Sequence, residues 1–130
     1  MSLNRINKPA LVPKLFLSFF GTIFKADRSH PDIFVNDGDN LSKYGLDAVV
    51  LYIPGHSRGS IGILTTNGNL FCGDLLLNIN KPSPTELPDD SADLENSLKR
   101  LQSLSFHTIY PGHWESFLRE QFLDLTLNRV

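Results

Sequence analysis

The sequence has little of what usually settles a protein's class. A single cysteine, Cys72, among 130 residues excludes an internal disulfide framework and any metal site built from cysteine alone. Charge is scarce and nearly balanced. The 12 Lys+Arg against 14 Asp+Glu leave −2 and a pI near 6.0, so no basic field gathers nucleic acid or an anionic membrane. Long apolar runs are missing too. The most apolar stretch, residues 11–24, is interrupted by Pro13 and Lys14 and falls short of the ~20 residues that a membrane span needs. The residues after it, Lys25-Ala26-Asp27-Arg28, lack the small-residue pattern of a secretory cleavage site, so the cytoplasm is the default location. No repeat of supersecondary size and no low-complexity tract occurs. With 41% hydrophobic and 20% charged residues, the sequence suits one globular domain.

Residues 11–24 read as a helix apolar nearly all round, Leu11, Leu15, Phe19 and Ile23 on one face and Phe16, Phe20 and Phe24 elsewhere, hence a core or interface helix. From Ile33 the texture turns strand-like. Ile33-Phe34-Val35 precedes a turn over residues 36–39. The run Ala48-Val49-Val50-Leu51-Tyr52-Ile53 suits a strand covered on both faces. Asn67-Gly68 between two apolar runs signals a hairpin, through a type I′ turn with both central residues at φ > 0. Pro82, Pro84 and Pro88 exclude a regular element from residues 78–90. Residues 91–104 read as an amphipathic helix, capped by Asp90 or Ser91, with Leu94, Leu98 and Leu101 on one face and Lys99 and Arg100 near its end. Residues 107–110 suit a short strand, and Trp114, Phe117, Leu118, Phe122 and Leu125 mark a last helix. Strands alternating with helices, plus a hairpin, give a mixed, layered α/β domain.

The chemistry gathers at three strand ends. Pro54-Gly55-His56 and Pro111-Gly112-His113 are identical tripeptides, each directly after a strand-like run, and Leu70-Phe71-Cys72-Gly73-Asp74 ends another strand. Loops at strand ends project onto one edge of a sheet, and glycine lets the chain turn there. Imidazole and carboxylate together suit a borderline divalent metal such as zinc. Three separate elements supply these residues, so no local spacing rule tests the set, and turn-formers or solvated side chains remain an open reading. His30 reads as surface loop and His107 as a satisfied strand histidine. Cys72 reads as a small core hydrophobe, and Arg58 and Ser60 as turn-shaping residues.

The ordered set Asp37-Gly38, then Ile53-Pro54-Gly55-His56-Ser57-Arg58-Gly59-Ser60, then Leu70-Phe71-Cys72-Gly73-Asp74, then Tyr110-Pro111-Gly112-His113 resembles the second half of the metallo-β-lactamase superfamily, over roughly residues 32–118. The resemblance implies half of an αββα sandwich, with residues 1–31 as an apolar lead segment and 32–130 as the matched half of a single partial domain. It also implies a binuclear centre, usually zinc, sometimes iron or manganese. His56 would bind the first metal, Asp74 would bridge both as the catalytic carboxylate, and His113 would bind the second. A bridging hydroxide would then attack an ester, thioester, lactam or phosphodiester.

The family's other ligands come from H-x-H-x-D-H in its first half. This sequence has no such motif, its histidines being 30, 56, 107 and 113. Two donors per metal are too few for a catalytic zinc, which takes three protein ligands and an open position. The expectation is therefore an incomplete hydrolase, inactive alone: a fragment, half of a split enzyme, or a non-catalytic binding or assembly module on the same half-fold. Half a sandwich would expose an apolar sheet face, which monomers rarely do. That implies a symmetric homo-oligomer burying residues 11–24 and the 48–53 strand, or a complementing N-terminal half. The substrate would be a small molecule of unknown identity.

Overall fold

In the computed structural model, residues 30–127 are described; the helix expected over residues 11–24 lies outside them. The β-branched run forms β1 (Ala48–Tyr52), in which the successive residues Val50 and Leu51 are both buried, as a strand covered on both faces requires. β1 pairs antiparallel with β2 (Ile61–Thr65), and β2 pairs antiparallel with β3 (Asn69–Gly73). The hairpin is where Asn67-Gly68 placed it, but its turn is not type I′. The Gly68 N–H donates to the Thr65 carbonyl at 3.0 Å, and in this turn only Gly68 has positive φ, 79°. The Thr65 hydroxyl accepts the Asn69 N–H at 3.0 Å and closes the bend from the other side, so Asn67 keeps an ordinary conformation.

Upstream, no strand forms at Ile33-Phe34-Val35, and Phe34 is 81% exposed. The turn behind it does form, with the Asp39 N–H donating to the Asn36 carbonyl at 3.1 Å. The edge of β1 is met by residues 38–41: the Gly38 N–H donates to the Val50 carbonyl at 2.8 Å, the Val50 N–H to the Asp39 carbonyl at 2.9 Å, and Asn40 forms a single bridge to Val49, so residues 33–35 lie upstream of these bonds.

After β3 the chain makes a small antiparallel pair, β4 (Leu76–Asn78) and β5 (Pro82–Pro84). The prolines had argued against any element here. The register resolves the conflict: the Thr85 N–H points back to the Leu75 carbonyl at 3.0 Å, so Ser83 and Thr85 share the bonded side. Pro82 and Pro84 then face away from β4, where no N–H is needed.

α1 (Ser91–Gln102) starts as the sequence predicts. The Asp90 carboxylate accepts the Ala92 and Asp93 N–H groups at 2.8 and 3.0 Å, and Leu94, Leu98 and Leu101 are buried. It is the crossover to β6 (Thr108–Pro111), which lies parallel to β3. The last helix begins later than Trp114. Trp114 has φ 69°, outside the helical range, and Phe117-Leu118 form β7 against β6 before α2 (Arg119–Leu127) starts.

The main sheet is mixed, in the order β1-β2-β3-β6-β7. One face carries Leu51, Leu70, Cys72, Ile109 and Phe117 into a core with Leu94, Leu98 and Leu101 of α1 and Phe122 of α2. On the opposite face Tyr52, Ile61, Phe71, Tyr110 and Leu118 are exposed by 38–53%, with Phe71 and Tyr110 stacked at 4.9 Å. Among the described residues the architecture is a layered α/β half-sandwich, with α1 and α2 on the same side of the sheet.

Candidate metal centre

β1 and β3 both run antiparallel to β2, and β6 runs parallel to β3. The three strands therefore point the same way, and their C-terminal ends share one edge. That is why Pro54-Gly55-His56, Gly73-Asp74 and Pro111-Gly112-His113 meet although up to 57 positions separate them. His113 Nδ1 lies 2.8 Å from Asp74 Oδ1, and His56 Nε2 lies 3.9 Å from Asp74 Oδ2. Two of the three residues singled out from the sequence, His56 and His113, thus flank the carboxylate of the third, Asp74.

Two glycines permit this convergence. Gly55 has φ 145°, and a Cβ there would come within 2.8 Å of the Leu94 Cα, so the His56 loop lies flat on α1 only without a side chain. A Cβ on Gly112 would meet Asp74 Oδ1 at 2.5 Å, in the space where the His113 loop approaches the carboxylate. The Gly112 N–H donates to the Gly73 carbonyl at 2.9 Å and ties the two loops together.

Around the histidines lie residues the sequence did not advertise. His56 Nδ1 lies 3.3 Å from the hydroxyl of Thr85, a residue 92% buried on the chain leaving β5. An Nδ1–H donated to that hydroxyl leaves the Nε2 lone pair facing Asp74, the orientation a metal ligand needs. Thr85 is 29 positions away in a proline-rich segment, and no sequence pattern points to it. α1 holds the same loop from below: the Ser97 hydroxyl donates to the Pro54 carbonyl at 2.6 Å, and Arg100 Nη1 to the Tyr52 carbonyl at 2.9 Å. Arg100 also pairs with Asp37, Nη1 to Oδ1 at 2.8 Å, while that carboxylate accepts the Tyr52 N–H at 2.7 Å. The Arg100 guanidinium first, then the Tyr52 N–H, hold the Asp37 carboxyl below the usual carboxylate range. Arg100 had read as a charge for the helix end and Asp37 as a turn residue; both brace the strand that delivers His56.

The remaining candidates take structural places. His30 is exposed, and His107, expected within a strand, lies one residue before β6, exposed with its ring against Gly68. Ser60 shapes the turn, its hydroxyl 2.8 Å from that of Ser57, and the Arg58 carbonyl accepts the Tyr52 hydroxyl at 2.8 Å. Cys72 is a core residue, 1% exposed, and burial pushes its thiol up to about 12.

A groove of ≈ 350 Å³ opens at this edge, lined by the three donors together with Leu77, Leu87 and Trp114. The donor kinds fit a divalent metal, nitrogen and oxygen around a shared carboxylate. The donor number does not. Among the described residues no group of three His, Cys, Asp or Glu side chains converges as a metal site would require.

The family model of the metallo-beta-lactamase superfamily matches residues 4–113, starting well upstream of residue 32, where the sequence resemblance began. The hydroxyacylglutathione hydrolase of Aeromonas hydrophila is 35% identical over 86 residues, 65% of this chain and 33% of that protein. The acyl-coenzyme A thioesterase MBLAC2 of Homo sapiens is 25% identical over 111 residues, 82% of this chain and 40% of that one. Among solved structures, TTHA1623 in a di-iron-bound form superposes with a TM-score of 0.62 at 29% identity, covering 75% of this chain and 48% of that one. The chain spans between a third and a half of the length of these relatives. Motif order, half-sandwich fold and the match over residues 4–113 agree: the chain belongs to the metallo-β-lactamase superfamily.

Proposed function

We propose that this chain contributes the C-terminal half of the metal centre of a thioester hydrolase, and that it is inactive until a complementing N-terminal half brings the remaining donors. One observation carries the reading: a single carboxylate, Asp74, stands between His56 and His113, with one histidine on each side. Each side offers two donors where a catalytic zinc takes three. Zinc suits the donors best, with iron or manganese as alternatives. The chain's own part is positional: Thr85 orients His56, Ser97 and Arg100 fix its loop, and Gly112 lets Asp74 and His113 meet.

Thioesters are favoured over lactams and phosphodiesters by the relatives' names, since hydroxyacylglutathione and acyl-coenzyme A both carry the acyl group on sulfur. The complementing half is assigned to the sheet face of Tyr52, Ile61, Phe71, Tyr110 and Leu118, which a second copy covers when the chain is alone. The assembly is assigned to the cytoplasm. Mixing the chain with an N-terminal half carrying H-x-H-x-D-H, then measuring thioester hydrolysis, tests the proposal. Hydrolysis by the mixture, and none after Asp74→Ala, is the expected result; an inactive, metal-free mixture refutes it. A non-catalytic module on the same half-fold is the second reading, favoured by the lack of a three-donor cluster among the described residues.

A further inference from the structure

The groove beside Asp74 has a second wall that the donors do not account for. Trp114 follows His113 directly, with its ring 5.6 Å from the imidazole, and is 54% exposed. Its φ of 69° places a bulky residue in the left-handed region, where glycine would be relaxed, and strain of this kind concentrates at ligand-binding positions. Leu87, 84% exposed, and Leu77, half-buried, line the same groove. Leu87 therefore contributes almost nothing to the core from where it sits. The ionisable groups in the described lining are Glu86, Asp74 and the two histidines, with no lysine or arginine. Such a lining does not recognise the phosphates or carboxylates of an acyl carrier. It suits an uncharged aliphatic chain, and ≈ 350 Å³ is within the range of small-molecule sites.

We infer that Trp114, Leu87 and Leu77 form an acyl-binding wall, so that the substrate carries an aliphatic acyl chain laid along this groove with its carbonyl toward Asp74. The inference rests on the thioester-hydrolase reading and narrows its substrate class. Recognition through this wall is apolar, so affinity grows with the number of methylenes buried.

Trp114 is the single tryptophan, and its emission reports on the groove directly. The chain alone is titrated with S-alkyl glutathione thioethers, S-methyl through S-hexyl, whose sulfur carries no hydrolysable acyl bond. Binding should shift the Trp114 emission to the blue and tighten about threefold per added methylene, near the roughly fourfold limit for full burial. Leu87→Asn, at an exposed position that leaves folding intact, should weaken S-hexyl binding at least about fivefold and leave S-methyl binding unchanged. Trp114→Gly, followed by calorimetry, should reduce S-hexyl affinity by a comparable factor. Equal affinities for S-methyl and S-hexyl, or a Leu87→Asn chain binding S-hexyl like the unsubstituted one, would overturn the acyl wall. The underlying reading is scored separately by metal content of the chain mixed with its complementing half. Length-dependent binding without metal uptake leaves the wall standing and removes the hydrolase; metal uptake with length-independent binding does the reverse.

Discussion

At Gly112 a single missing atom decides whether the His113 loop can approach the Asp74 carboxylate. A methyl group there would sit 2.5 Å from Asp74 Oδ1 and 3.2 Å from the Gly73 carbonyl carbon, so either the carboxylate or the backbone must move. Gly112→Ala should cost roughly 1–3 kcal/mol through overpacking, read as a lower Tm, and should weaken metal uptake by the completed protein at least about tenfold. Cys72 makes the opposite case, a polarisable group kept out of chemistry. Burial holds its thiol protonated up to about pH 12, so iodoacetamide at pH 8 should leave the native chain largely unmodified and alkylate it rapidly in urea. Fast modification of the native chain would show that this strand opens. The three candidate residues were legible because two identical Pro-Gly-His tripeptides and a Gly-Asp each close a strand-like run. Thr85 and Trp114 were not: the first acts across 29 positions, and the left-handed backbone of the second leaves no mark in residue type.

α1 is the element that connects packing to the site. Its buried face joins the core, while Ser97 and Arg100 reach the two ends of the Tyr52-Ile53-Pro54 segment. Its start depends on Asp90, and Asp90→Ala should remove about 1 kcal/mol, lowering Tm by roughly 4–8 °C in a domain of this size. The Asp37–Arg100 pair adds a pH signature. Its carboxyl is lowered in the folded state, so its contribution is complete above the unfolded carboxylate value of about 4 and is lost as pH falls through the native value. Both partners are substantially exposed, which limits the effect to ~1 kcal/mol or less. The Tm difference between the unsubstituted chain and Asp37→Asn should be constant from pH 5 to 7 and shrink below pH 4. A difference that grows in acid would contradict the pairing. Helix α1 and strand β1 were readable from capping chemistry and hydrophobic period alone. β5 was not, because proline's effect depends on which side of a strand faces its partner, and only the register with β4 reveals that.

For the molecule as a whole, the described fold is one layer of a sandwich, and the chain spans between a third and a half of the length of its relatives. Among the described residues α1 and α2 pack on one sheet face, while on the other Val50 is buried and Tyr52, Ile61, Phe71, Tyr110 and Leu118 are partly in contact with solvent. Of the 48–53 strand, expected at the interface, only Tyr52 belongs to this exposed set. Light scattering at micromolar concentration should report a dimer of the chain alone, and Phe71→Lys with Tyr110→Lys should convert it to a monomer without lowering helix content. A monodisperse unsubstituted monomer would remove the proposed association. The layered half-fold and the meeting of His56, Asp74 and His113 at one sheet edge were visible in the order of the motifs. What covers the exposed residues of the other face was not, since nothing in their types names an occupant. The measurement that bears most directly on the account is metal content by elemental analysis, for the chain alone and mixed with an N-terminal half that carries H-x-H-x-D-H. The account predicts substoichiometric metal for the chain alone and about two ions per complex for the mixture, falling to background with Asp74→Ala. A mixture that forms a complex yet binds no metal would contradict it.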